Sequence, residues 1–191
     1  VAVLPGSRVG EVSRLAASMV GAIKLLTERH PGLQFLVPLI TRETRTIFEQ
    51  VLISEGVQTS SVRLLFGHSH EAMSAADVVL LASGTASLEA ALLKRPMVIA
   101  YKIGASSYRL LRRLAYLPWV GLPNILAREL LVPELIQDDA TPEKLADAVS
   151  AWLNDGEACR RVAERFQALH DQLRQGNAEK AAAVVLAQAR S

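Results

Sequence analysis

Two short turns carry the residues best suited to chemistry. Leu4-Pro5-Gly6-Ser7-Arg8 follows the apolar run Val1-Ala2-Val3-Leu4 and leads into a stretch of helical period. Glycine permits close backbone approach, Ser7 offers a hydroxyl, and Arg8 can hold an anionic oxygen where helix amides already point outward. That set suits a phosphate, although it would also make an ordinary strand-to-helix turn with a solvated arginine. The second turn is Ser83-Gly84-Thr85-Ala86-Ser87-Leu88-Glu89, after the strongest apolar run of the chain. Its small residues would let backbone amides approach a diphosphate. Glu89, one to two turns into the helix, could accept hydrogen bonds from ribose hydroxyls. The alternative is a cap, with Ser83 closing the helix end and Glu89 solvated.

Neither turn is a Walker loop or the Gly-x-Gly-x-x-Gly dinucleotide fingerprint, which argues against ATPase and dehydrogenase chemistry. His68 and His70 stand two apart without an accompanying Cys or Asp cluster, so a metal is not expected. His30 and His170 read as surface residues. Cys159, the one cysteine, falls in a helix candidate and reads as a packing residue without a His/Asn constellation to activate it.

Elements able to hold the two turns follow from periodicity. Apolar runs at 1–4, 35–37, 62–65, 78–82 and 97–100 predict five strands. Leu15, Met19, Ala22, Ile23 and Leu26 recur at helical spacing, as do Ile47, Val51 and Leu52, then Leu88, Ala91 and Leu92. Near-continuous apolar strands alternating with helices imply a parallel sheet covered on both faces: an α/β, Rossmann-like, doubly wound domain. Ligands of such sheets bind beyond the strand C-termini, where both turns fall. Beyond residue 100, Pro118, Pro123, Pro133 and Pro142 separate short amphipathic pieces. Helices are expected at 142–154, with Thr141-Pro142 as cap and first residue, at 157–175, and at 178–189. The expected division is a Rossmann-like domain over 1–155 and a helical tail over 156–191, packed on this sheet or on a neighbour.

With 191 residues, half of them apolar, the chain can bury a sizeable core. A net charge of +2 gives no reason to expect nucleic acid as a partner. No run of about 18 uncharged apolar residues occurs, and the lone cysteine fits a reducing compartment, so a cytoplasmic location is expected. The opening at Val1, inside an apolar strand, predicts a fragment whose N-terminal part lies elsewhere. The segment from Tyr108 through Arg109, Arg112 and Arg113 to Trp119 interleaves basic and apolar groups. It could rest on a membrane surface or pack within the fold with its arginines outside.

The stretch from Gly67-His68 through Ala76-Asp77, Ser83-Gly84-Thr85-Ala86, Glu89 and Arg95-Pro96-Met97 resembles the donor-binding region of GT-B glycosyltransferases. That much would also fit the peptidoglycan-precursor N-acetylglucosamine transferases and the UDP-sugar 2-epimerases. More discriminating are Leu4 to Arg8 with Glu11-Val12, Phe35-Leu36-Val37-Pro38, Leu122-Pro123-Asn124-Ile125-Leu126, and Val132-Pro133-Glu134-Leu135. Together these resemble the lipid-A-disaccharide synthase family across nearly the whole chain.

The resemblance implies the C-terminal half of a GT-B fold, with the N-terminal acceptor domain absent from this chain. It further implies an inverting, metal-independent transfer without a cofactor. UDP-2,3-diacylglucosamine would be the donor and 2,3-diacylglucosamine 1-phosphate the acceptor, giving a β-1,6-linked lipid A precursor at the inner face of the inner membrane, with an intertwined homodimer compatible. By motif position, Arg8 and Asn124 would be needed for catalysis, Arg8 by offsetting charge on departing UDP. Gly6, Ser7, Ser83, Gly84, Thr85 and Ala86 would surround the diphosphate, Glu89 the ribose, and Gly67 with His68 the uracil edge. Arg128-Glu129 is displaced by about one residue from the family's pattern, so both stay outside this set. An epimerase-like enzyme and a noncatalytic nucleotide-binding module are the rival readings.

Overall fold

The structure, a computed structural model, describes residues 1–57, 59–104 and 118–174, with positions 108, 182, 185, 186 and 188. Six parallel strands form one sheet: β1 (Ala2–Leu4), β2 (Phe35–Leu39), β3 (Val62–Phe66), β4 (Val79–Ala82), β5 (Met97–Tyr101) and β6 (Glu134–Ile136), in the order β3-β2-β1-β4-β5-β6. The helices are α1 (Val9–Arg29), α2 (Arg42–Ser54), α3 (Ser69–Ala75), α4 (Thr85–Leu92), α5 (Leu122–Ala127), α6 (Pro142–Asn154) and α7 (Gly156–Leu173). The strand order reverses between β1 and β4, as in a Rossmann sheet, and a crevice opens at that point beyond the carboxyl ends.

Alternation along each strand explains the two-faced burial. Val3, Leu80 and Val98 enter one core with Leu15, Met19 and Ile23 of α1 and Leu145 and Val149 of α6. Their neighbours Ala2, Leu81 and Ile99 enter the other, with Met73 of α3, Ala90 of α4 and Phe166 of α7. Successive side chains of a strand point to opposite faces, so continuous apolar runs serve both cores at once. Helix α7 therefore packs on this sheet, through Val162, Phe166 and Leu169.

Five strands were expected and six are present among the described residues. Strand β6 pairs Ile99, Ala100 and Tyr101 with Glu134, Leu135 and Ile136. Three residues that begin with a carboxylate carry no apolar run, so pairing with β5 defines this strand and local pattern does not. Strand β2 also runs two residues beyond the apolar run 35–37, through Pro38. Leu36 N–H donates to Val1 C=O, so the missing N–H of Pro38 faces the same side. By the register Ala2↔Leu36, Pro38 lies opposite Leu4, and the β1–β2 ladder makes no further pair there. The expected helix at 178–189 and most of the basic, apolar segment 108–119 lie outside the described residues.

Candidate functional site

The turns after β1 and β4 open side by side at the reversal of strand order and line one cavity of about 530 Å³. Gly6, Ser7 and Arg8 form one wall and Ser83, Gly84, Thr85, Ala86 and Glu89 another. Gly67 and Ser69, after β3, line it too, with Glu11, Pro38, Ile40 and Tyr101 among the rest. Nine of the eleven residues expected in the site are thus brought together. The two exceptions are His68 and Asn124, neither of which lines this cavity.

The β1 turn is held by a residue to which the sequence reading assigned no role. Glu11, in the first turn of α1, accepts the backbone N–H of Ser7 at 3.0 Å and of Arg8 at 3.2 Å through Oε2. Gly6 has φ +123°, and a Cβ there would lie 2.6 Å from Glu11 Cβ, so only glycine lets the chain reverse this close to the helix. Arg8 is left with its side chain 84% exposed at the mouth, its guanidinium 3.8 Å from Glu11. A glutamate three residues after a helix cap is a readable local signal for such a clamp.

At the β4 turn, Gly84 is the cap of α4, with no side-chain bond to the helix end. The alternative in which Ser83 caps the helix is not what forms: Ser83 Oγ donates to Val120 C=O at 3.1 Å. Ser87 satisfies itself locally, its hydroxyl donating to Gly84 C=O at 2.7 Å. The first-turn amides of Thr85 and Ala86 precede any intrahelical acceptor, and they lie at the cavity with the positive end of the helix dipole. Glu89 is exposed on the cavity wall and forms no ion pair among the described residues.

His68 adopts a left-handed backbone (φ 59°) as the cap of α3 and turns its Nδ1 toward Glu71 at 3.4 Å. The Glu71 carboxyl lies below its ordinary range, chiefly through its own backbone amide and secondarily through His68. Gly67 and Ser69, on either side, face the cavity instead.

Asn124 is fully buried and every polar atom of its side chain is engaged. Oδ1 accepts the N–H of Leu131 (2.8 Å) and Val132 (3.0 Å); Nδ2 donates to Val132 C=O (2.9 Å) and to Glu134 Oε1 (2.7 Å). The same Glu134 carboxylate accepts the N–H of Val120 (2.8 Å) and Gly121 (2.9 Å). Asn124 and Glu134 therefore pin the Val120-Gly121 backbone, whose carbonyl receives Ser83 of the β4 turn. Gly121 permits this approach, since a Cβ there would lie 2.3 Å from Ile99 Cδ1. Arg128 caps α5 in a left-handed conformation, and Glu129 pairs with Arg165 of α7.

Among the described residues, no group of three His, Cys, Asp or Glu side chains could hold a metal ion, and no helix is long and apolar enough to cross a membrane.

A family model described as lipid-A-disaccharide synthetase matches residues 1–188. The lipid-A-disaccharide synthase of Aromatoleum aromaticum is 63% identical over 186 residues, covering 97% of this chain and 48% of that protein. The lipid-A-disaccharide synthase of an Azoarcus species is 61% identical with the same coverage. The chain thus spans about half the length of these curated relatives. Among solved structures, the UDP-GlcNAc 2-epimerase of Neisseria meningitidis bound to UDP-GlcNAc superposes with a TM-score of 0.57, covering 90% of this chain and 44% of that one. At 13% identity this likeness shows a shared fold alone.

Proposed function

The chain belongs to the lipid-A-disaccharide synthetase family, and from that premise we propose that it is the donor-binding half of the glycosyltransferase. The reaction is transfer of 2,3-diacylglucosamine from UDP to 2,3-diacylglucosamine 1-phosphate, with inversion and without a metal. One observation carries the reading: both phosphate-suited turns meet in a single cavity at the reversal of strand order, with Glu89 in the wall. The epimerase reading loses its support, because the epimerase likeness is one of fold and the relatives of high identity are synthases.

In this reading the diphosphate lies against the Thr85 and Ala86 amides, at the positive end of α4. Glu11 already engages the Ser7 and Arg8 amides, so the β1 turn contributes the Arg8 side chain and the open backbone at Gly6. Glu89 accepts the ribose hydroxyls, and Gly67 lets the base approach the end of β3. The acceptor hydroxyl attacks the anomeric carbon as the bond to the β-phosphate oxygen breaks, and UDP departs with the bonding pair. Arg8, exposed at the mouth, offsets the charge that grows on that oxygen, an interaction stronger in the transition state than in the ground state. Asn124 touches no reacting atom in this arrangement. It positions the Val120-Gly121 backbone behind Ser83, and so the diphosphate turn.

The acceptor's acyl chains and the general base belong to the rest of the enzyme, working at the inner face of the inner membrane. The test is to supply the complete enzyme with acylated donor and acceptor. A disaccharide 1-phosphate and stoichiometric UDP are expected from the wild type, and Arg8→Ala should lose about 100-fold or more in kcat, the scale of one charge-stabilising donor. Epimerised UDP-sugar with no disaccharide, or UDP binding without turnover, would reject the transferase.

A further inference from the structure

Against the back of the donor wall lies a second cavity of about 320 Å³, large enough for the polar end of a small ligand. It shares Arg8, Glu11, Ala82, Ser83 and Tyr101 with the first cavity, so the two adjoin. Its remaining charged residues are Arg14 and Lys102. Three cations thus face one carboxylate, and Glu11 is already engaged by the Ser7 and Arg8 amides.

Neither Arg14 nor Lys102 forms an ion pair among the described residues. Arg14 Nη1 donates to Gly10 C=O at 2.6 Å, which folds the guanidinium back along α1. Lys102 Nζ donates to Ser18 Oγ at 2.7 Å, which holds the ammonium against the same helix. Each is therefore oriented by a neutral partner while keeping further N–H donors and its whole charge for a ligand. A surplus of two positive charges matches a phosphate monoester, which carries about −1.5 to −2 at neutral pH.

We propose that the Arg14 and Lys102 cavity binds the phosphate monoester of the acceptor sugar, beside the donor diphosphate and across Arg8 from it. The proposal rests on the donor reading above. UDP and its sugar carry no monoester, and their diphosphate is accommodated at the β4 turn, which leaves the acceptor as the reactant with matching chemistry. Arg8, which lines both cavities, then borders both anions.

The test uses the complete enzyme with Arg14→Gln, Lys102→Met and the double variant, and Lys102→Arg as the charge-keeping control. Three quantities are read: KM for the phosphorylated acceptor, KM for the same diacylated glucosamine without its phosphate, and calorimetric affinity for UDP. The double variant should raise KM for the phosphorylated acceptor about tenfold or more, the size of one charge-assisted hydrogen bond. KM for the unphosphorylated acceptor and affinity for UDP should stay within about twofold, and Lys102→Arg should recover most of the loss. An equal loss on both acceptors would overturn the proposal, as would a loss confined to UDP affinity. Weaker binding to phosphatidylglycerol vesicles with acceptor discrimination intact would assign the charge to a lipid surface and overturn it also. A wild-type enzyme that does not bind UDP overturns the donor reading and this proposal with it, whereas UDP binding with undiminished acceptor discrimination in the double variant overturns this proposal alone.

Discussion

The Glu11 carboxylate accepts the Ser7 backbone N–H at 3.0 Å, and so fills from within the protein an amide position that an incoming phosphate would otherwise take. The β1 turn is consequently set before any ligand arrives, with Gly6 bent close against Glu11. Glu11→Ala should lower stability by about 1 kcal/mol, as loss of a cap does, and should weaken UDP binding because the turn loses its shape. Thermal melts and UDP calorimetry measure the two effects. The sign of the second is decisive: tighter UDP binding in the variant would mean that the carboxylate competes with the diphosphate.

Asn124 should be more important to the architecture than its distance from the cavity suggests. Asn124→Ala strands the part-buried N–H of Leu131 and the buried N–H of Val132 and removes a donor from Glu134, and should cost about 2–4 kcal/mol in urea unfolding. Asn124→Asp should be worse, because it places a second carboxylate against Glu134. In a positioning role, either change loosens the turn behind Ser83 and lowers UDP affinity together with stability; wild-type UDP affinity in a variant that has lost the expected stability would contradict that role.

Close approach of Gly121 to β5 gives a paired prediction. Gly121→Ala should destabilise by about 1–3 kcal/mol through overlap with Ile99 Cδ1. Ile99→Val removes that atom and costs about 0.5–1.5 kcal/mol alone. In the double variant the two losses should sum to more than the measured loss, since the second change relieves the first. Strict additivity in thermal or urea melts would show that the contact is not the source of the strain.

Cys159 should be a poor nucleophile. Its Sγ approaches Trp152 C=O at 3.1 Å, and burial, followed by the charge of Asp155, raises the thiol above its ordinary range. A raised pKa means less thiolate at neutral pH and a rate that climbs only as the pH rises further. Alkylation by iodoacetamide should therefore be slower than for a free cysteine peptide at pH 7.5, with its rising limb displaced to higher pH. A rate at or above that of the peptide would contradict this.

Legibility in the sequence followed the range of the interactions. The apolar runs of β1, β2, β4 and β5 were readable because a strand buried on both faces needs no polar alternation, and Val3 beside Ala2 or Leu81 beside Leu80 serve opposite cores; the edge strand β3 was readable from its apolar residues although Arg63 is exposed. Both turns that line the cavity were readable because glycine and small polar residues between a strand and a helix are a local signal. Strand β6 was not, since Glu134 opens it and its pairing to β5 is specified about 35 residues away in sequence. The roles of Asn124 and Glu134 were hidden for the same reason. Motif position marked Asn124 as important, yet only tertiary structure shows its amide turned inward to the backbone. Arg14 and Lys102 look like solvated charges in sequence, and they come to line one cavity only where Lys102, just after β5, is held against Ser18 of α1.

The most direct test of the central claim is calorimetric titration of this folded 191-residue chain with UDP, alongside NAD and ATP and with Glu89→Ala as the variant. The donor-site account predicts saturable UDP binding, little or no heat from NAD or ATP, and a loss of about tenfold in UDP affinity for Glu89→Ala, the scale of a hydrogen bond to a charged group. Equal affinity for all three nucleotides, or UDP binding indifferent to Glu89→Ala in a chain whose circular dichroism shows it folded, would contradict it.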